Sequence, residues 1–270
     1  MKAANNRAHE VGELRPSQFL FTGGIGAVVD LPAISAIVLG LHAWDREDSE
    51  LISEPRLLHA LQNRHGSQLS ELRALPYALD FDERGGEEPQ HGIPIEPFPR
   101  WMVCPLCRML LPVDSGLLEL KPHRYRPERT CYIHRNCQYR SSRAVLPIRF
   151  MRACEQGHLD DLPWNEYVHR GPTACHGRLQ IDQFGVTGDA SQVVVKCLEC
   201  GSSRSMSNAF GENADPSVAS CRGIHPHLGQ QTDEPCTERA RTVILGASNA
   251  WFGATHAVLS LPDQIGDLDR

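Results

Sequence analysis

The chain has 270 residues, 41% of them hydrophobic but only 6% aromatic, and carries a formal net charge of −6. That length suits one large domain or two to three small ones, with enough apolar content for a core. The negative balance argues against a protein that coats nucleic acid, and the polar first ten residues lack the apolar stretch of a secretory signal.

Residues 1–10 read as disordered. The Gly23-Gly24-Ile25-Gly26 step that follows Phe19–Thr22 lacks both the lysine of a P-loop and the third glycine of a dinucleotide fingerprint, so it reads as a tight turn. Ala33 to Leu41 is an apolar stretch expected as a strand. The longest apolar run, Ile25 to Trp44, is interrupted by Asp30, Pro32 and His42 and falls short of the roughly 20 clean residues that a bilayer span needs. Ser53 is the expected N-cap of a short helix over 53–66, with Pro55 in its first turn and Leu57, Leu58 and Leu61 on one face. Residues 84–99 are rich in Gly, Pro and Glu and read as a linker. Beyond them, short strands and turns predominate, with Val193–Lys196 a strand and Glu166–His169 helical. The fold class expected is α+β, an irregular, strand-rich, multi-zinc architecture with short helices. Its expected parts are an N-terminal α+β region (1–98), a first zinc module with an Arg-rich segment (99–150), second and third zinc modules (151–240), and a C-terminal strand and tail (241–270).

Ten cysteines, all between positions 104 and 236, carry the chemistry. Cys104-Pro-Leu-Cys107 and Cys197-Leu-Glu-Cys200 have the spacing that sets two thiolates on one side of a divalent ion at about 2.3 Å. A disulfide scaffold would usually be short and secreted, and no three-cysteine ferredoxin run appears. Zinc is therefore the expected cofactor, at two to three ions per chain, in a soluble cytoplasmic protein. The first site draws Cys104, Cys107, His134 and Cys137, with Cys131 as neighbour or substitute for His134. The second draws Cys154, His158, His169 and Cys175, with His176 spare. The third draws Cys197, Cys200, Cys221 and Cys236. Sites committed in fours leave no open position and no activated thiol, so no catalytic residue is expected. The competing reading is a metal-dependent hydrolase or nuclease with an open site near His158, Asp160 and Asp161.

Between Lys121 and Arg152 lie nine cations against one acid, Glu128. Lys121, Arg124, Arg126, Arg129, Arg135, Arg140 and Arg143 are candidate phosphate contacts through charge and guanidinium forks. A solvated face or a seat for an acidic partner is the alternative.

Three stretches look familiar together: Val11-Gly-Glu-Leu-Arg-Pro-Ser-Gln-Phe-Leu-Phe-Thr22 with Gly26-Ala-Val-Val-Asp-Leu-Pro32; Cys154-Glu-Gln-Gly-His-Leu-Asp-Asp-Leu-Pro-Trp164 with Val168-His-Arg-Gly171; and Leu245-Gly-Ala-Ser-Asn-Ala-Trp-Phe252. From about residue 11 to 262 the chain resembles the DrmB family of the bacterial DISARM anti-phage system. The resemblance implies a DrmA-type helicase as partner and a role in handling invading DNA within that complex; the interrupted apolar run already argues against a membrane. It also implies a longer protein, with this chain stopping near a truncation point after the strand at 246–249. At 250–253, Ala-Trp-Phe-Gly departs from the family pattern.

Overall fold

In the computed structural model the described residues are 9–45, 49–76, 92–139, 143–184, 189–229, 235–247 and 251–259. Residues 1–8 of the opening expected as disordered, the first half of the 84–99 linker, Arg140 and the last part of the C-terminal tail lie outside them. The chain divides into two units: Met1–Ala43 with Pro94–Trp251, and Trp44–Ile93 with Phe252–Arg270.

The first unit opens with α1 (Pro16–Phe21), then β1 (Val28–Asp30) and β2 (Ser35–Val38), an antiparallel pair. All four residues of β2 are buried, the polar Ser35 together with Ala36, Ile37 and Val38. In the second unit, β3 (Leu51–Ile52) pairs with β4 (Leu72–Arg73), and between them lies α2 (Pro55–His65). The residue capping α2 is Glu54, not Ser53, and its side chain accepts no cap hydrogen bond. Pro55 at the first helical position sets the start instead, because its fixed φ suits a helix and its missing N–H needs no acceptor.

The chain returns to the first unit in β5 (Ile95–Pro97), which completes a three-stranded sheet in the order β1-β2-β5. There follow β6 (Trp101–Val103), β7 (Met109–Pro112), β8 (Leu118–Lys121), β9 (Cys131–His134), β10 (Leu146–Pro147), β11 (Phe150–Ala153) and β12 (Leu159–Asp161). Next come α3 (Trp164–His169), β13 (Leu179–Gln183), β14 (Val193–Cys197), β15 (Ser203–Ser205), α4 (Pro216–Ala219) and β16 (Arg241–Ile244). Six of these strands form the central sheet, β10-β6-β7-β13-β14-β15, while β12-β11-β16 and β8-β9 form smaller antiparallel sheets. The fold is thus a strand-rich α+β architecture with short helices.

Successive side chains on a strand point to opposite faces, and the central sheet uses both. On one face Val103, Leu110, Leu179, Ile181, Val193 and Val195 pack with Trp164, Tyr167 and Val168 of α3 and Val218 of α4. On the other, Met102 and Leu111 join Leu118, Val145, Cys104 and Cys137 in a smaller core. The spacing of Trp164, Tyr167 and Val168 gives α3 one continuous buried stripe. Tyr167 Oη also donates to the Ser205 carbonyl at 2.6 Å, and Arg204 donates to the Tyr167 carbonyl at 3.1 Å, which fixes α3 against β15.

Candidate metal centres

Three hairpin connections, β6–β7, β11–β12 and β14–β15, each carry a pair of donors. In the first, the Cys104 amide bonds the Met109 carbonyl (3.0 Å) and the Arg108 amide bonds the Cys104 carbonyl (2.9 Å). The third repeats that pattern, Cys197 to Ser202 (2.8 Å) and Gly201 to Cys197 (3.1 Å). Both turns need a left-handed residue after the second cysteine. Gly201 supplies it freely (φ 75°), and Arg108 adopts it at φ 61°, where Gly would be the default. Arg108 is held there by β13: its Nε donates to the Ile181 carbonyl at 3.1 Å, and its own carbonyl accepts from the Ile181 amide at 2.9 Å. The β11–β12 turn is one residue tighter, with the Cys154 amide on the His158 carbonyl (3.1 Å) and Gly157 left-handed.

Each turn prepares its first cysteine for ionisation. Burial opposes a thiolate at Cys104, Cys154 and Cys197. Amide hydrogen bonds outweigh it and lower all three: from Cys107 and Leu106 at Cys104, from His158 and Gln156 at Cys154, and from Cys200 and Glu199 at Cys197. The Ser202 hydroxyl and amide draw Cys200 down to about 6. Burial instead pushes Cys107 up to about 12 and Cys221 up to about 11. Burial also lowers His134, favouring the neutral imidazole that a metal requires.

The described residues form three four-donor clusters, in each of which the donor atoms lie within 4.8 Å of one another. The first is Cys104, Cys107, His134 and Cys137. Cys131, on the same strand as His134, is not part of it. In the other two clusters the donors are exchanged relative to the order expected along the chain. His169 and Cys175 meet Cys197 and Cys200, whereas Cys154 and His158 meet Cys221 and Cys236. The reason is tertiary. Packing of α3 on β15 carries His169 to the β14–β15 turn, where its Nε2 lies 3.2 Å from Cys200 Sγ. Cys221 follows α4, which is tied back to β11 because Arg152 Nη1 donates to the Ser217 and Ser220 carbonyls at 3.1 and 2.7 Å. Cys236 precedes β16, which pairs with β11. His176, the expected spare, joins no cluster among the described residues.

The separations fit metal and not disulfides. Cys104–Cys137 and Cys175–Cys197 have sulfurs 3.8 and 3.7 Å apart, and all ten cysteines are free thiols. Two sulfurs about 2.3 Å from one tetrahedral ion lie roughly 3.8 Å apart, whereas a disulfide needs about 2.05 Å. Sulfur–nitrogen distances of 3.4 Å (Cys107–His134), 3.3 Å (Cys154–His158), 3.6 Å (Cys221–His158) and 3.2 Å (Cys200–His169) suit the mixed edges of the same solids. His169 Nδ1 donates to the Asn165 carbonyl at 2.6 Å, which leaves Nε2 bare towards the thiols. Neither this carbonyl nor Ser202 carried a signal distinct enough to be read from sequence.

Asp160 and Asp161 are committed elsewhere. Asp160 accepts from Arg152 Nη2 and Nε at 2.6 and 3.1 Å, and from Arg222 Nε and Nη2, both at 2.7 Å. Asp161 accepts from the Arg100 amide at 3.0 Å. The cavity beside His158, Asp160 and Arg222 holds ≈ 10 Å³, room for about one water. Of the basic segment, Arg152 is buried in this ion pair and so is no candidate for a phosphate. Lys121 and Arg135 both pair with Glu119 at the base of the β8–β9 hairpin. Arg124, Arg126, Arg129 and Arg143 are exposed. Arg135 also lines a groove of ≈ 380 Å³ with Leu117, Asn136, Gln138, Arg178 and Leu198.

No helix among the described residues is long and apolar enough to cross a membrane. Over 237 residues the chain is 25% identical to the DISARM protein DrmB of Bacillus paralicheniformis (strain ATCC 9945a / NCIMB 11709 / CD-2). The match covers 86% of this chain and 37% of that relative, so this chain spans well under half the relative's length. A family model described as "Domain of unknown function (DUF8724)" matches residues 15–252, and the chain belongs to that family.

Proposed function

We propose that this chain is a zinc-stapled, non-enzymatic subunit of a DISARM-type anti-phage system that works in the cytoplasm beside a DrmA-type helicase and helps it engage DNA. The observation that carries the reading is the set of three four-donor Cys/His clusters, each joining a β-turn to segments distant in sequence. Zinc suits these donors because thiolate and imidazole are its preferred ligands and it imposes no geometry beyond the tetrahedron. Four protein ligands per ion leave no place for an activated water, which fits support rather than chemistry. The hydrolase alternative needs Asp160 or Asp161 beside an open ion, and both carboxylates are occupied by arginine or backbone donors. Similarity to DrmB supports the defence role, and the exposed arginines of the β8–β9 region support the contact with DNA.

Elemental analysis of the purified chain should give three zinc ions, with no nuclease or ATPase activity. Added to the helicase, the chain should alter its DNA affinity or turnover. Fewer than one zinc per chain, or metal-dependent cleavage abolished by Asp160→Ala in a folded variant, would sink the reading.

A further inference from the structure

The connection between β8 and β9 ends in an aromatic residue that packing does not explain. Tyr125 is 85% exposed, the most exposed large apolar side chain among the described residues. An isolated apolar residue at a surface is ordinary. This one sits at the tip of a hairpin built to hold it out. His123 N donates to Thr130 Oγ1 at 3.0 Å, and the buried Thr130 hydroxyl donates in turn to the Glu10 carbonyl at 3.3 Å. Arg126 N bonds the His123 carbonyl, Arg129 N the Arg126 carbonyl, and Thr130 N the Pro127 carbonyl, at 3.2, 2.8 and 2.9 Å. Pro122 and Pro127 stiffen the tip further. A loop so bonded presents its aromatic ring without having to order it on binding.

The surroundings decide what the ring meets. Arg124, Arg126 and Arg129 are exposed on the same loop, within four residues of Tyr125, and Glu128 is the one acid between Pro122 and Thr130. A flat π-face set among guanidinium groups matches an unpaired base between two phosphates: the ring stacks on the base and the arginines take the backbone. Duplex DNA hides its base faces in the stack and would leave the ring idle.

Resting on the DNA-engaging role proposed above, we infer that Tyr125 is a base-stacking residue and that the β8–β9 tip is a contact for single-stranded nucleic acid. The test uses the full, zinc-loaded chain and a fluorescent oligothymidylate of about 20 nucleotides at low salt. Tyr125→Ala should weaken binding about tenfold without changing its salt dependence, because it removes no charge, and Tyr125→Trp should restore it. Combined Arg124→Glu, Arg126→Glu and Arg129→Glu should weaken binding and flatten the salt dependence. If the arginine variant loses binding and Tyr125→Ala does not, the stacking role is overturned while the DNA role stands. If the wild-type chain binds duplex but not the single strand, or binds an acidic peptide through Tyr125 instead, the inference also fails. All these side chains are exposed, and unchanged zinc content and circular dichroism verify the fold of each variant.

Discussion

Arg152 is 2% exposed, and its guanidinium tolerates burial because Asp160 and two carbonyls take its donors. Removing Asp160 leaves that charge without its counter-ion, whereas Arg222, whose side chain is 51% exposed, remains solvated if the carboxylate is lost. Chemical denaturation should therefore show Asp160→Ala losing about 3–5 kcal/mol, and Arg222→Ala losing only about 1 kcal/mol. The neighbouring Asp161 makes a separate prediction. Burial, aided by the nearby Asp160 charge, raises its carboxyl from 3.8 to about 7 against the pull of the Arg100 amide. The folded chain thus holds this proton more tightly than the unfolded one. The stabilisation is complete below the unfolded value and fades as pH rises from about 4 to about 7, by as much as about 4 kcal/mol. Asp161→Asn keeps an oxygen for the Arg100 amide and should flatten that window. Denaturation midpoints of both proteins at pH 5 and pH 8 measure the difference.

At the scale of elements, the donors were legible and so was the grouping of the first four, Cys104, Cys107, His134 and Cys137; the grouping of the other eight was not. Two-residue spacing between cysteines, and Gly157 before His158, report local turn chemistry, and all twelve expected donors sit in the three clusters. Which segments share a cluster depends on α3 crossing to β15 and β16 returning to β11, and neither leaves a periodic trace in the sequence. The cap of α2 differed for a local reason instead: Pro55 fixes the helix start in place of the Ser53 side chain. The exchange changes what a lost ligand should do. With zinc bound as proposed, Cys197→Ser should remove a bond that ties α3 and the segment before β13 to the β14–β15 turn, and a structural zinc supplies on the order of 10 kcal/mol to folding. Hydrogen exchange should accelerate over residues 164–176 and 193–205. Protection in β11 and β16, held by the other cluster, should fall less. Uniform loss of protection across both would mean that the two sites form one cooperative unit.

For the whole molecule, the net charge of −6 and the basic β8–β9 region coexist because the stretch from Lys121 to Arg152 holds nine of the 27 Lys and Arg but only one of the 33 acids. The composition warned against general nucleic-acid coating, and the local sequence suggested a contact. Only the structure separated the buried Arg152 from its exposed neighbours. The clusters also have an order written into them. The donors of one cluster, from His169 to Cys200, lie wholly within the span from Cys154 to Cys236 that closes another. A ribosome extruding this chain completes the first donor set at Cys137 and the nested set at Cys200. Cys154 and His158 should wait without their two remaining partners until Cys236 emerges. Nascent chains arrested with residue 215 outside the exit tunnel should retain two zinc ions and label with a thiol probe at Cys154, and those arrested past residue 245 should retain three. Oxidative stress during synthesis should therefore strike this protein at Cys154 before any other ligand.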